Sequence, residues 1–134
     1  MGHRNHNLTF IAGANIRKGR ALKLQNDGTV IEISSNQDKV VGFSTSMTRA
    51  RHQVAVRTIF EGTVTIEIDK GTDEMYAGCW LTLANDGRMK YWSNNITDAR
   101  MGVLLNNLKD DHDNGIYGEV LILRQINLWD RPNP

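Results

Sequence analysis

One strand-turn-strand unit occurs twice in this chain, and the duplication restricts the fold more than any other feature of the sequence. Residues 19–28, GRALKLQNDG, align without a gap with residues 78–87, GCWLTLANDG. Each copy places two leucines, separated by one residue, ahead of the tripeptide Asn-Asp-Gly. Asp-Gly favours a tight hairpin because such turns need a positive φ, which glycine adopts without strain. Gly28 and Gly87 are therefore predicted to close equivalent hairpins.

The two copies continue to correspond beyond these hairpins. Gly42 and Gly102 occupy equivalent positions and are predicted to be structural turn glycines. Residues 54–56 (VAV) correspond to residues 120–122 (VLI), after a polar insertion in the second copy at residues 108–117. One copy has too few strands to bury an apolar face in water, so we expect the two halves to pack together into a single barrel or sandwich.

Apolar and polar residues alternate through most of the chain, as they do in half-buried strands. Residues 62–69 (GTVTIEID) show this period of two most clearly. No stretch has the periodicity of an amphipathic helix of three turns, and 40% hydrophobic with 23% charged residues is typical of a globular protein. The sequence predicts an all-β fold, a small β-barrel, β-tulip or sandwich, made of two similar strand-turn-strand halves at about residues 18–68 and 77–123.

Two segments lie outside the repeat and are predicted to be extended arms. The N-terminal arm spans residues 1–16, the β core residues 17–124 and the C-terminal arm residues 125–134. Chain ends are poorly ordered unless they are tied to something, which can be another chain. The residues predicted to bind a partner, in or beside the first arm, are Arg4, Leu8, Phe10, Ile11 and Arg17. The candidates for subunit interfaces are Trp80, Trp92, Leu128 and Trp129.

The motifs of the common enzyme classes are absent from the sequence. It has no Gly-x-Ser-x-Gly elbow and no glycine-rich phosphate loop. Its single cysteine, Cys79, lies in an alternating strand pattern, which favours a structural, half-buried residue over a nucleophile. The acidic run at residues 110–113 lacks the alternate spacing of a calcium loop. We therefore expect no enzymatic activity, no metal and no cofactor.

The formal net charge of +1 gives no general attraction to nucleic acid or to acidic membranes. The first 25 residues carry basic side chains without an acid, but Phe10 is their only aromatic residue, so stacking on bases is poorly supported. We expect no nucleic-acid partner. The basic stretch is better suited to an acidic protein surface, either residues 61–74 of a neighbouring copy or another protein. No membrane span and no secretory signal are evident, so synthesis in the cytoplasm is expected.

The repeated blocks follow one another in a familiar order: a Leu-x-Leu strand, an Asn-Asp-Gly turn, and then Val-Gly-Phe at residues 41–43 or Met-Gly-Val at residues 101–103. Over roughly residues 17–123 this order resembles the capsid decoration (cement) proteins of tailed phages, in which blocks of the type A-G-…-V-x-L-x-x-D-G and V-x-G-V recur twice. Members of that family are small β-barrel or β-tulip proteins on the capsid exterior, usually trimers, and they have no catalytic residues.

The resemblance implies a structural virion protein, synthesised in the host bacterial cytoplasm. Its expected partners are the major capsid protein and two further copies of itself, as a homotrimer. Its expected role is to stabilise the capsid by cementing neighbouring capsomers through its arms and oligomer contacts.

A second interpretation is a free-standing module that binds glycans or a host surface. Four aromatic residues would stack on sugar rings if they were exposed. They are Trp80, Tyr91, Trp92 and Tyr117. The same residue types are enriched in cores and at subunit interfaces, so the sequence alone leaves both uses open.

Overall fold

The computed structural model describes residues 7–58, 62–71, 75–93, 100–108 and 116–122, and these form ten β-strands. The strands are β1 (Asn7–Ala12), β2 (Ala21–Leu24), β3 (Thr29–Glu32), β4 (Gly42–Ser44), β5 (Gln53–Arg57), β6 (Thr63–Asp69), β7 (Trp80–Leu83), β8 (Met89–Tyr91), β9 (Gly102–Leu104) and β10 (Tyr117–Ile122). Within these described ranges, no helix has the length and apolar character needed to cross a membrane.

The strands close into two barrels of five, and the strand order is the same in both. The first barrel runs β1-β3-β2-β4-β5 and the second β6-β8-β7-β9-β10. In each barrel the first and third strands pair in parallel, and the other neighbours are antiparallel. The all-β barrel fold with two similar halves is confirmed. A single shared barrel or sandwich was expected, but each half closes its own barrel. A sheet that closes on itself pairs both of its edge strands and leaves no edge to cover.

The strand that completes the first barrel comes from the segment predicted to be an arm. β1 pairs antiparallel with β5 as far as Ile11↔Gln53 and parallel with β3 at Ile11↔Thr29. β6 has the equivalent place in the second barrel, between β10 and β8. The predicted division is corrected accordingly: residues 7–12 belong to the first barrel, and β6 begins the second barrel instead of ending the first half. Residues 1–6 and 125–134 lie outside the described residues.

Each barrel has its own core, and the second core extends onto the first barrel. The first core consists of Ala12, Ile16, Leu22, Val30, Val54 and Val56. The second, larger cluster takes in four buried residues of the first barrel, which are Ala21, Ile33, Val40 and Phe43. Neighbouring residues of a strand point to opposite faces, so Leu22 fills the first barrel while Ala21 faces the second. The two barrels therefore share buried apolar surface, and their docking is part of folding.

The second Asn-Asp-Gly turn lies against the first barrel, whereas the first turn faces open space. The Ala21 amide donates a hydrogen bond to the Gly87 carbonyl oxygen at 2.9 Å. A Cβ added to Gly87 would lie 3.2 Å from the Ala21 oxygen, while one added to Gly28 would have no neighbour within 4 Å. Both glycines have a positive φ, +88° at Gly28 and +92° at Gly87, as a tight turn requires. Equivalent turns thus have different surroundings.

Gly42 and Gly102 are not turn residues, which corrects their predicted role. They are the first residues of β4 and β9. A Cβ on Gly42 would lie 2.5 Å from the Arg57 carbonyl oxygen, and one on Gly102 would lie 2.6 Å from Cγ1 of Val120. Glycine is needed at both positions because the neighbouring strand of the same barrel approaches too closely for a side chain.

The two turn glycines provide a matched test of barrel docking. Gly28→Ala is expected to cost about 1 kcal/mol of unfolding free energy, since alanine is strained at a positive φ. Gly87→Ala is expected to cost about 1–3 kcal/mol more, because its methyl group also presses on the Ala21 backbone. Urea unfolding of both variants measures the difference. Equal losses would contradict the described docking of the second turn.

Candidate functional site

An aromatic groove lies at one end of the hairpin formed by β7 and β8. Five residues line it, and they are Cys79, Trp80, Tyr91, Trp92 and Ser93. Leu81 pairs with Tyr91 across the hairpin, and the Trp92 amide donates to the Trp80 carbonyl oxygen at 2.9 Å. These contacts hold the two tryptophans at adjacent strand ends. The groove has a volume of about 400 Å³. That is within the size range of small-ligand pockets.

Arg100 lies over both tryptophans of the groove. Its Cζ is 4.6 Å from the centroid of the Trp80 ring and 5.1 Å from that of Trp92. Both distances are within the range of cation–π attraction, in which the positive guanidinium faces the negative π-surface. Sequence reasoning missed Arg100 because the residue stands in the second copy's Arg-Met-Gly segment, far along the chain from Trp80. The signal available in the sequence was the alignment of Arg100 with Val40 of the first copy, because a charged residue takes the place of an apolar one.

Cys79 stands at the edge of the groove with its side chain half-buried. Burial raises the pKa of its thiol above the ordinary value, so the thiol stays protonated at neutral pH. A thiolate, which a nucleophile or a metal ligand needs, is therefore disfavoured. Among the residues with described positions, no three of His, Cys, Asp and Glu come together in a group that could hold a metal ion.

The predicted site residues fall into separate places. Trp80 is 36% exposed and shares the groove with Trp92. Tyr91 joins them, but Tyr117 lies elsewhere, with the Lys18 ammonium 5.1 Å from its ring centroid. In β1, Leu8 is 55% and Ile11 42% exposed, whereas Phe10 packs against the first core. Arg4, Leu128 and Trp129 lie outside the described residues.

The barrel junction, formed by Arg20, Glu67 and the turn at residues 85–87, is held by a buried charge. The Arg20 side chain is only 4% exposed. Its Nε and Nη2 donate to Glu67 Oε1 at 3.1 and 3.0 Å, and its Nη1 donates to the Asp86 carbonyl oxygen at 3.0 Å. The Glu67 amide donates in turn to the Gly19 carbonyl oxygen at 3.0 Å. A buried guanidinium is tolerated when it is paired and hydrogen-bonded in this way.

Three residues of the basic stretch near the N-terminus are paired within the chain. Its ion pairs are Arg17–Glu32 at 2.7 Å, Arg20–Glu67 at 3.0 Å and Lys23–Asp38 at 3.2 Å. The sequence predicted that this stretch would complement an acidic surface, either residues 61–74 of a neighbouring copy or another protein. Glu67, within residues 61–74, pairs with Arg20 of the same chain and joins its two barrels. Arg17, predicted to bind a partner, donates to Glu32 through Nε and Nη2, and its side chain is 59% exposed.

Loss of the junction charge is predicted to be costly. Arg20→Leu leaves the Glu67 carboxylate, itself only 15% exposed, without its partner, and is expected to lower the unfolding free energy by about 3 kcal/mol. The matched control is Arg17→Leu, whose side chain is 59% exposed and which should cost less than about 1 kcal/mol. Urea unfolding of the two variants gives both values. Similar losses would mean that burial of Arg20 does not determine its contribution.

Asp86, in the same turn, should make stability depend on pH. Burial opposes its ionisation, but hydrogen bonds from the Arg88 side chain and amide, with the charges of Arg88 and Arg20, outweigh this and hold the Asp86 pKa below its ordinary value. A lowered native pKa means that stability is fully present above the ordinary Asp range and is lost as the pH falls from about 4 downward.

Unfolding at two pH values tests this prediction. At pH 6 Asp86→Asn is expected to be less stable than the unchanged protein, because asparagine cannot pair with Arg88. At a pH below the lowered native pKa of Asp86, where its carboxyl is protonated in the folded state as well, the two proteins should converge. A stability difference that is the same at both pH values would contradict the role assigned to the Asp86 charge.

Comparisons with known proteins extend these observations. No protein-family model matches the chain, and no curated protein matches its sequence. The fold is similar to that of solved structures, among them the crystal structure of the N base of the head fiber protein gp8.5 of bacteriophage phi29. The TM-score is 0.63 at 14% sequence identity, and the match covers 87% of this chain and 92% of the other. A likeness at this identity establishes that the two chains share a fold.

Proposed function

We propose that this chain is a structural protein of a tailed-phage virion, located on the capsid exterior, where it binds the major capsid protein and stabilises the shell. The observation that carries the proposal is the fold shared over 87% of the chain with the N base of a phage head fiber. The ordered repeat blocks, which resemble capsid decoration proteins, support the same class independently. The shared fold and the order of the repeat blocks both support a component of a phage particle. The cementing of neighbouring capsomers is a more specific proposal within that class.

The construction of the two barrels suits a mechanical role. Arg20 is bonded to Glu67 and to the turn at residues 85–87, and the second core reaches onto the first barrel. Two barrels locked in this way act as one rigid spacer, which transmits force between capsomers without bending at a linker. The protein needs no catalytic group and no cofactor for this role, and none is proposed.

The proposed capsid-binding surface is the exposed part of β1 with the residues that precede it. Leu8, near the start of the strand, and Ile11, on its opposite face, each leave a large apolar side chain exposed on a strand that is otherwise integrated into the barrel. Exposed apolar groups of this kind lose water contact when a partner covers them. Residues 1–6 carry Arg4 and extend the same strand in sequence. We propose that β1 and this extension grip the shell, that three copies form a homotrimer there, and that synthesis takes place in the host bacterial cytoplasm.

Capsid co-sedimentation tests the proposal with the barrel left intact. Removal of residues 1–14 would delete β1 and open the first barrel, so the truncation used is residues 1–6. The truncated protein, and a Leu8→Ser/Ile11→Ser variant, are expected to remain folded and to bind undecorated capsids at least about tenfold more weakly, since apolar anchors dominate interface energies.

Met47→Ser is the matched control, because Met47 is 77% exposed but lies outside β1. It should bind capsids as the unchanged protein does. Light scattering should give the mass of three chains for all folded variants. Native occupancy by the truncated and doubly substituted proteins would overturn the assignment of β1, and failure of the unchanged protein to bind any undecorated capsid of its phage would overturn the function.

A further inference from the structure

The same face of the two barrels is used in two different ways. Arg20 and Ala21 of the first barrel align with Cys79 and Trp80 of the second. The main-chain pattern is conserved between them, since the Ser44 amide donates to the Arg20 oxygen as the Leu104 amide does to the Cys79 oxygen. In the first barrel this face is closed, because the turn of the second barrel covers Arg20 and Ala21. In the second barrel the same face carries the open aromatic groove.

The docking that closes the first face cannot be repeated at the second. Ala21 is small and fully buried, and its amide donates to the carbonyl oxygen of Gly87 in the second turn at 2.9 Å. A tryptophan replaces it in the second barrel, and Trp80 projects its ring over Arg100. A turn such as that of Gly28 would meet the indole before it reached the backbone. This face of the second barrel is therefore differentiated from the docking surface and presents aromatic rings and a cation.

The rings of the groove suit the apolar face of a sugar. One side of a pyranose ring presents C–H groups that carry a small positive charge, and these pack on the negative face of an aromatic ring. Trp80 is 36% and Tyr91 57% exposed, so their surfaces are accessible. The volume of about 400 Å³ accommodates a short oligosaccharide segment.

The guanidinium of Arg100 adds a requirement for negative charge. Contacts with both the Trp80 and Trp92 rings position this guanidinium before a ligand arrives, and its N–H donors lie in one plane. A planar guanidinium binds a carboxylate or phosphate through two parallel hydrogen bonds. Among the residues the structure describes, no carboxylate forms an ion pair with Arg100 and none accepts a hydrogen bond from its guanidinium.

We propose that Trp80, Tyr91, Trp92 and Arg100 form a binding site for an anionic sugar, one that carries a carboxylate or phosphate group beside an apolar ring face. The exposed part of the Trp80 ring packs on the sugar, Tyr91 lines the groove beside it, and Arg100 pairs with the anion. A single-stranded nucleic acid is a poorer occupant because its backbone requires several clustered cations. The described contacts place a single guanidinium, that of Arg100, over the tryptophans of the groove, and Arg17, Arg20 and Lys23 of the first barrel pair with acidic side chains of the same chain.

Calorimetric titration of the full chain with defined sugars tests the site. A galacturonic acid tetramer supplies carboxylates, and its methyl ester supplies the same rings without charge. Glucose 1-phosphate supplies the phosphate alternative. At least one of the two anions is expected to bind, with the methyl ester about tenfold or more weaker than the acid if the carboxylate is the recognised group. Equal binding of acid and ester with no binding of glucose 1-phosphate, no binding of any sugar at millimolar concentration, or tighter binding of a ten-nucleotide oligothymidylate would overturn the proposal.

Substitutions place the binding in the groove. Arg100→Lys keeps the charge but loses the planar stack and the paired donors, and Trp92→Leu removes one ring; each is expected to weaken binding about tenfold. Tyr117→Leu is the matched control, since Tyr117 is an exposed aromatic residue of the same barrel, 37% accessible and also beside a cation. It should leave the affinity unchanged. Folded Arg100→Lys and Trp92→Leu proteins that bind like the control would contradict the site, and their capsid co-sedimentation tests the proposed function separately.

Discussion

The buried guanidinium of Arg20 is the interaction on which the rest of the architecture depends. It lies between the barrels, bonded to Glu67 on β6 and to the Asp86 carbonyl oxygen in the second hairpin turn. A charge removed from water in this way is stable only while its partners stay in place, so the junction tolerates one relative arrangement of the barrels. The apolar contacts of Ala21 and Phe43 add burial to that arrangement but no comparable directionality.

The docking of the second barrel on the first accounts for a difference between the two similar halves. Once Gly87 lies on Ala21, the first barrel's face is occupied and its residues must be small or paired. The turn does not cover the equivalent face of the second barrel, where Trp80 and Trp92 line a groove and Arg100 lies over their rings. The asymmetry between the copies is therefore a consequence of the internal contact.

Local features were predictable from the sequence, and non-local pairing was not. The Asn-Asp-Gly hairpins follow from backbone preferences of three adjacent residues. β1 was missed because its pairing with β3 is parallel and joins Ile11 to Thr29 across a whole hairpin. The sequence alignment of Val54 with Val120 was wrong by two residues. The equivalent positions are Val56, which pairs with Ser44, and Val120, which pairs with Leu104. A shift of two residues keeps the same face inward, so alternation cannot detect it.

By itself the sequence determined the all-β class, the duplicated hairpins closed by Gly28 and Gly87, and the strands that alternate. These depend on φ preferences and on a period of two, which act over a few residues. Only the tertiary structure decided that each copy closes its own barrel, that Glu67 is the partner of Arg20, and that Arg100 stacks on Trp80. Those outcomes depend on contacts between residues that are far apart in the sequence. The preferences of a few adjacent residues do not specify such contacts. The repeated Asn-Asp-Gly turn therefore has two environments: it faces open space at Gly28 and lies on the first barrel at Gly87.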